Sequence, residues 1–341
     1  MPVNRVSQFV SINNETWLIS YNQKMHSLQF YNINERSRKS IISLMSAGPS
    51  GVEQISGICF INFDSILLAT TSPKRRLVLI DSQANLIDQW EISDTLKYNN
   101  ILYDLYIYKN FELTFNRGKV TVSISPYLPP ESPACYQYPY LVEYDLIKRR
   151  VTANYGQFPF ESDKIYLYLE LPKHKVTPYY DIVHFSGSHD LFCYDVYTKE
   201  LKRVVRAKSK YLQKKFKTLD PKIIIDDLQE EEKIFYVTQG RYDQLLYDSF
   251  RELYYRIVKL PVDYRNLEGK PHWEPDFMYS IMILDAEFRY VNEIELPGRT
   301  YNPSLATVTR DGLLISLNNP ANQGIDEDHI YFHVFKPTQT L

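Results

Sequence analysis

The sequence predicts an all-β chain, a six-bladed β-propeller with a short helical insertion between blades four and five. Three observations carry this expectation. One phrase returns five times: an apolar or aromatic pair, then Asp or Asn, then polar turn residues, then a second apolar strand. It reads Phe30-Tyr31-Asn32 before Ser40-Ile41-Ile42, Leu79-Ile80-Asp81 before Leu86-Ile87, Glu143-Tyr144-Asp145 before Arg150-Val151, Cys193-Tyr194-Asp195 before Leu201, and Ile283-Leu284-Asp285 before Tyr290-Val291. An Asx side chain accepts hydrogen bonds from backbone two residues on, so each copy reads as a β-hairpin. The Asx positions lie 49, 64, 50 and 90 residues apart, and a further step of 50 lands on Phe332-His333-Val334-Phe335. Units of roughly 40–50 residues are the size of propeller blades, and the step of 90 reads as one blade with insertions. Finally, 29 tyrosines and 17 phenylalanines favour pleated, half-buried surfaces.

Taken in order, blade one (residues 1–46) has strands at Val6–Ile12, Thr16–Tyr21, Leu28–Ile33 and Ser40–Leu44. Blade two (52–94) runs Ile55–Asn62, Ser65–Thr71, Arg76–Ile80 and Ile87–Ile92, in the near-continuous apolar style of strands buried on both faces. Blade three (100–156) spans Leu102–Lys109, Phe111–Phe115, Lys119–Ile124 and the hairpin Leu141–Ala153, with the Pro-rich connection Pro126–Pro139 lengthening its step. Blade four (162–206) has Lys164–Glu170, Tyr180–His184, Asp190–Tyr194 and Leu201–Val205.

The insertion, 207–229, is read as a short helix around Lys210–Phe216, where Tyr211, Leu212 and Phe216 fall at helical offsets in a charged stretch. Blade five (230–297) resumes at Lys233–Thr238, continues through Gln244–Tyr247 and Leu253–Lys259, detours from Pro261 to Asp276, and closes with Tyr279–Leu284 and Tyr290–Leu296. Blade six (302–338) offers three strands, Ser304–Thr309, Leu313–Leu317 and Ile330–Phe335. Propellers leave no open edge, so a fourth strand is expected from Pro2–Arg5 or from an upstream segment of the natural protein.

The chain is read as one domain of 341 residues, a length that closed β-architectures reach and that buries ~75% of the unfolded surface. Apolar residues at 44% and charged residues at 23% exclude wholesale disorder. Glycine is scarce at 11, so turns must rest on Asn, Asp and Pro. A net charge of −2 supplies no field for nucleic acid, and the basic segment from Lys202 to Lys222 is balanced by Asp226-Asp227 and Glu230-Glu231-Glu232. Cys59, Cys135 and Cys193 are odd in number and lack CxxC spacing, which reads as three free thiols. No window holds 18 apolar residues, and no basic region followed by an apolar run opens the chain.

The run Ser46-Ala47-Gly48-Pro49-Ser50-Gly51-Val52, followed by Asp64-Ser65-Ile66 and Leu79-Ile80-Asp81, resembles the Gly-Pro-x-Gly, Asp-Ser-Ile and Leu-Ile-Asp string of an uncharacterised family. That family comprises six-bladed propeller-like lipoproteins from Gram-negative gut anaerobes, a domain of unknown function. Lys208-Ser209-Lys210-Tyr211, the segment Tyr247-Asp248-Ser249-Phe250-Arg251-Glu252-Leu253-Tyr254-Tyr255-Arg256, and Gly312-Leu313-Leu314-Ile315-Ser316 through Ile330-Tyr331-Phe332 are similar again, in the same order and spacing. The resemblance implies the propeller fold and a cell-envelope address, periplasmic or outer-membrane-anchored, and no chemistry. Members begin with a lipoprotein signal and acylated cysteine, which this sequence lacks.

Candidate binding residues concentrate between Arg241 and Arg265, where Arg241, Tyr247, Arg251, Tyr254, Tyr255 and Arg256 supply rigid amphipathic surface and planar donors. The structural alternative follows from strand alternation: Tyr255 and Ile257 face one neighbouring blade, Tyr254 and Arg256 the other, and a buried Arg256 then calls for a carboxylate such as Asp243 or Asp248. Trp273, in the Pro261–Asp276 loop, is a candidate to stack on a sugar or dock a partner, with packing over a blade edge as the plainer role. His184 is a further binding candidate; it and His189 flank Gly187 beside serines, without a nucleophile elbow. His329 and His333 lie about 13 Å apart on a strand, too far to share one metal ion. Gly48-Pro49-Ser50-Gly51 lacks the lysine and helix of a phosphate cradle.

These observations favour a non-catalytic binding module for a glycan, peptide or protein, with no cofactor, no bound metal, no nucleic-acid partner and no transmembrane segment. The alternative is a propeller-type glycan lyase or hydrolase. It needs carboxylate or His–Tyr pairs converging within reach of a substrate.

Overall fold

The computed structural model describes residues 6–46, 51–72, 75–92, 96–99, 101–105, 113–128, 132–159, 172–212, 225–326 and 329–336. Six antiparallel sheets follow one another along the chain, the blades of a six-bladed β-propeller. They fall into two compact units of three blades each, one formed by residues 2–129 and 138–157, the other by 130–137 and 158–341.

In the first unit, blade one comprises β1 (Ser7–Ile12), β2 (Glu15–Asn22), β3 (Ser27–Asn32) and β4 (Ser37–Ser43), paired in that order. Blade two repeats the meander with β5 (Gln54–Asn62), β6 (Ser65–Ser72), β7 (Arg76–Ile80) and β8 (Leu86–Trp90). Blade three is more elaborate: β9 (Lys97–Tyr98), β10 (Ile101–Leu105), β11 (Thr114–Asn116), β12 (Lys119–Pro126), β13 (Leu141–Asp145) and β14 (Arg150–Tyr155). Apolar faces lock the blades together. Ile19 and Phe30 of blade one pack with Ile58, Ile66 and Ile80 of blade two, whose other face meets Val120, Val122 and Tyr144 of blade three.

The second unit holds blade four, β15 (Lys173–Val176), β16 (Tyr180–His184), β17 (Asp190–Asp195) and β18 (Leu201–Arg206); the helix α1 (Ile225–Thr238); and blade five, β19 (Arg241–Asp248), β20 (Leu253–Lys259), β21 (Tyr279–Leu284) and β22 (Tyr290–Leu296). Blade six is β23 (Asn302–Thr309), β24 (Gly312–Ser316) and β25 (Phe332–Phe335). Alternation along β20 sorts its side chains as expected. Tyr255 and Ile257 join Leu313 and Ile315 of blade six, while Tyr254 and Val258 join Ile182 and Leu191 of blade four.

Two elements differ from the sequence reading. The first described strand of blade four is Lys173–Val176, and Lys164–Glu170 lies outside the described residues. Lys233–Thr238 forms the last turns of α1 rather than a strand; of the helix expected at Lys210–Phe216, Lys210–Leu212 forms a turn and residues 213–216 lie outside the described residues. The physical reason lies at the C-terminal end of α1, where the amine of Lys259, from blade five, reaches the free carbonyls. The segments Pro2–Arg5 and Ala47–Ser50 lie outside the described residues.

The fivefold phrase has one structural meaning. In each copy the Asx side chain accepts a backbone N–H across the turn between the last two strands of its blade: Asn32 from Glu35 at 3.0 Å, Asp81 from Gln83 at 2.8 Å, Asp145 from Lys148 at 2.8 Å, Asp195 from Tyr197 at 2.9 Å and Asp285 from Glu287 at 3.0 Å. A β-bulge sits in the ladder just before every one of them, at Phe30/Tyr31, Leu79/Ile80, Glu143/Tyr144, Cys193/Tyr194 and Ile283/Leu284. Each turn then places a residue other than glycine in the left-handed region: Arg36, Ala84, Arg149, Lys199 and Phe288. Bulge, Asx turn and positive φ together reverse the chain and add twist, which is why the phrase repeats while its other residues vary.

Candidate functional site at the helix end of blade five

β19 and β20 run antiparallel, pairing Arg241 with Lys259 at one end and Asp248 with Leu253 at the other. Seven strand residues separate the ends, about 23 Å, so the Tyr- and Arg-rich segment cannot form one patch. The structure divides it into three places.

At the Asp248 end, Arg251 is a bracket to blade six. Its Nη1 donates to Asp248 Oδ2 at 3.0 Å and to the Thr309 carbonyl at 3.3 Å, and its Nη2 to the Arg310 carbonyl. Tyr255, almost fully buried, donates its hydroxyl to the same Asp248 oxygen at 3.0 Å. Tyr247 lies against Tyr254, and Tyr254 stacks on Phe288 with centroids 4.5 Å apart. Burial raises the phenol pKa of all three tyrosines.

In the interior between blades four and five lies Arg256, fully buried. Among the described residues no carboxylate bonds it, contrary to the expectation for a buried Arg. Its Nη1 donates to the carbonyls of His189 at 2.9 Å and Ala207 at 2.7 Å, its Nη2 to that of Ser188 at 2.8 Å, and it sits 3.3 Å from the centroid of the Tyr242 ring. Carbonyl dipoles and a π face replace the anion, and burial still lowers its pKa to about 10. His184 is likewise buried, and desolvation with nearby Arg256, Lys173 and His174 drives its pKa well below the ordinary histidine value. The Lys208–Tyr211 string is also structural: Glu293 accepts Ser209 Oγ and Ser280 Oγ, each at 2.6 Å, and the Lys210 N–H at 2.9 Å.

The third place is the helix end of the blade, where Arg241 and Trp273 belong. The Arg241 guanidinium lies 4.2 Å from the Tyr236 ring of α1 and donates to the Tyr236 carbonyl at 3.2 Å. The Tyr236 hydroxyl donates to Glu274 Oε1 at 2.7 Å. Lys259, fully buried over Phe277, donates to the carbonyls of Tyr236, Val237 and Gln239. Beside them Lys173 at the start of β15 pairs with Asp243 of β19 at 2.9 Å. Burial would raise the Asp243 pKa, but Lys173 and Arg241 hold it below the ordinary carboxylate value.

Over this base stands the β20–β21 loop, built as a finger. Arg265 and Pro271 form a bridge, Asn266 Oδ1 accepts the N–H groups of Glu268 and Lys270, and His272 binds back to Tyr264 and Asp263. The finger is tied to α1 by Tyr264 Oη on Glu230 at 3.0 Å as well as by Tyr236 on Glu274. It presents Leu267 fully exposed at its tip and Trp273 at 60% exposure. Sequence reading missed Lys259, Tyr236 and Leu267. Two cations inside the otherwise apolar run Leu253–Leu260 were the available signal for Lys259.

Three His–Tyr pairs occur among the described residues: Tyr21 with His26 at 2.9 Å, His189 with Tyr242 at 2.7 Å and Tyr301 with His333 at 2.7 Å. In each the tyrosine is buried, so the hydroxyl serves as a structural link. His329 instead binds Asp326 at 2.9 Å. Cys59, Cys135 and Cys193 are buried, and no described helix is long and apolar enough to cross a membrane.

A bladed all-β architecture with these ordered crown loops defines the class, a six-bladed β-propeller. The chain belongs to the family described as a domain of unknown function (DUF4221), whose pattern spans residues 1–295. A member of that family from Bacteroides vulgatus has a similar structure, with a TM-score of 0.78 at 22% identity, covering 98% of this chain and 92% of that one. A protein from Bacteroides fragilis is similar at a TM-score of 0.51 and 9% identity, covering 93% of this chain and 80% of its own. No curated protein matches the chain.

Proposed function

We propose that this chain is a non-catalytic binding module that engages a glycan, peptide or protein through the finger and helix end of blade five. What supports this reading is the finger itself. Its own backbone and Asx hydrogen bonds hold it in one shape, α1 braces it, and yet Trp273 and Leu267 face solvent instead of a core. A surface ordered in advance loses little entropy on binding, and an aromatic with an aliphatic neighbour inside a charged rim of Arg265, Glu268 and Lys270 has the composition of a recognition surface.

The test is a thermal-shift screen of the wild type against oligosaccharides and cell-wall peptides, repeated with Trp273→Ala and Leu267→Ser. A ligand at 100 times its dissociation constant adds about 2.7 kcal/mol to stability. The expected result is a shift for one ligand class that both variants lose while melting as the wild type does without ligand. A shift that both variants retain, or none with any class, overturns the reading.

A further inference from the structure

Blade three carries a cluster of three tyrosines beside the β9–β10 hairpin. Tyr98 ends β9 and pairs with Ile101, Tyr103 lies in β10 opposite Pro126 of β12, and Tyr138 stands on the approach to β13. All three rest on the apolar interior shared by blades two and three, with Tyr103 buried and Tyr98 and Tyr138 partly open to solvent. Tyr138 meets both others at near right angles: its ring centroid is 6.4 Å from that of Tyr98 with 89° between the planes, and 6.3 Å from that of Tyr103 with 78°. Packed edge-to-face pairs in this protein stand closer, as at 5.2 Å for Phe60–Phe63 and 5.4 Å for Tyr136–Phe158. Two perpendicular rings at the wider spacing can hold a cation ~4.5 Å from the centre of each face, inside the reach of a cation–π contact.

The Tyr103 hydroxyl supplies the second observation. It is buried, and no hydrogen bond from a described residue reaches it. An unpaired buried hydroxyl costs free energy, so such a group marks a place for a partner outside the chain's own bonding. Burial, and then the neighbouring Tyr138 and Tyr98 phenols, push its pKa up, so it stays neutral and offers a lone pair. The cluster therefore joins two kinds of recognition: π faces that attract positive charge, and one oxygen that accepts a single N–H.

We propose that Tyr98, Tyr103 and Tyr138 form a binding site for a tertiary ammonium group, an alkylated cation that keeps one N–H. Its alkyl groups, over which the positive charge spreads, lie against the ring faces, and its N–H donates to Tyr103 Oη. The single acceptor sets the preference. A primary ammonium brings further N–H groups that the rings cannot satisfy, which makes its desolvation costly, and a quaternary one leaves the hydroxyl unpaired. The site belongs to blade three and makes no use of the finger of blade five, so it stands independently of the binding role proposed above. So small a group binds weakly on its own, and the test therefore reads ratios between probes.

The test is titration of the intact chain with trimethylammonium chloride, tetramethylammonium chloride and tert-butanol at constant ionic strength, followed by saturation-transfer NMR of the probe methyl groups and by melting temperature. The expected result is saturable binding of trimethylammonium, with the quaternary ion, which lacks the N–H, and the uncharged alcohol each binding about tenfold more weakly. Tyr103→Phe keeps the walls and removes the acceptor. It is expected to melt no lower than the wild type without ligand and to bind the two ammonium ions alike. Tyr98→Leu removes a wall on the solvent side and is expected to weaken both. Absence of saturable trimethylammonium binding overturns the proposal. So does tert-butanol binding as tightly as the cations, because the crevice would then be selective for apolar bulk alone. A preference for trimethylammonium that Tyr103→Phe retains, or binding that Tyr98→Leu leaves unchanged, overturns it as well.

Discussion

Arg256 lies over the Tyr242 ring at 3.3 Å from its centroid, and through this pair β20 is joined to the chain that leaves blade four. The Tyr242 hydroxyl accepts the Ser209 N–H at 3.0 Å and pairs with His189, whose pKa burial and neighbouring cations lower to about 4. Replacing Arg256 with Ala strands three carbonyls, two of them buried, and is expected to cost about 3 kcal/mol. Arg256→Lys recovers only part of this, because one ammonium cannot reproduce the planar fork. Urea unfolding of both variants reads the difference.

Lys259 makes stability depend on pH with the same sign as an ionised buried carboxylate, but in a higher pH window. Burial, with Arg241 nearby, pushes its pKa from the ordinary 10.5 down to about 6. The unfolded chain then holds a proton that the folded chain has released between those values, so stability rises with pH across the window. The slope is at most about 1.4 kcal/mol per pH unit. Lys259→Met is expected to flatten stability against pH between about 6 and 10, as measured by chemical denaturation at several pH values.

A buried ionic knot holds blade four. Asp181, with no exposure, receives His174 Nδ1 at 2.8 Å and Lys199 Nζ at 2.7 Å. Burial alone would raise its pKa, but these two partners hold it far below the ordinary carboxylate value. Its contribution is therefore present above the usual aspartate range and lost only in strong acid. Asp181→Ala leaves Lys199 buried without its anion and is expected to cost about 3 kcal/mol. The double variant Asp181→Ala with Lys199→Met is expected to recover much of that in the same denaturation assay.

The hairpin turns offer a stabilising change. Arg36 is exposed and sits at φ 56° in blade one. A left-handed residue other than glycine carries a strain on the order of 1 kcal/mol. Arg36→Gly is expected to raise the melting temperature by roughly 1–2 °C, and calorimetry checks it. A fall in melting temperature would contradict the strain argument.

Period and residue type decided the blades before any contact was known. The Asx turns are local, with each side chain bonding its own backbone within four residues, so five hairpins were legible in the sequence. So was the sorting of Tyr255 from Arg256 to opposite faces, because strand alternation has a period of two. The last turns of α1 were read as a strand because α1 is held by Lys259, some 20 residues further along the chain, and propensity does not see a cap supplied from elsewhere.

Function followed the same division. Arginine and tyrosine side chains announced themselves as a binding patch, but composition carries no direction, and folding spent most of them on carbonyls, an aspartate and each other. What the sequence settled alone was the local reversal and the alternating face, set by covalent geometry and nearest-neighbour hydrogen bonds. Tertiary structure alone decided which polar side chains were buried and satisfied and which, like Trp273, stayed at the surface. That choice depends on partners brought together from distant parts of the chain.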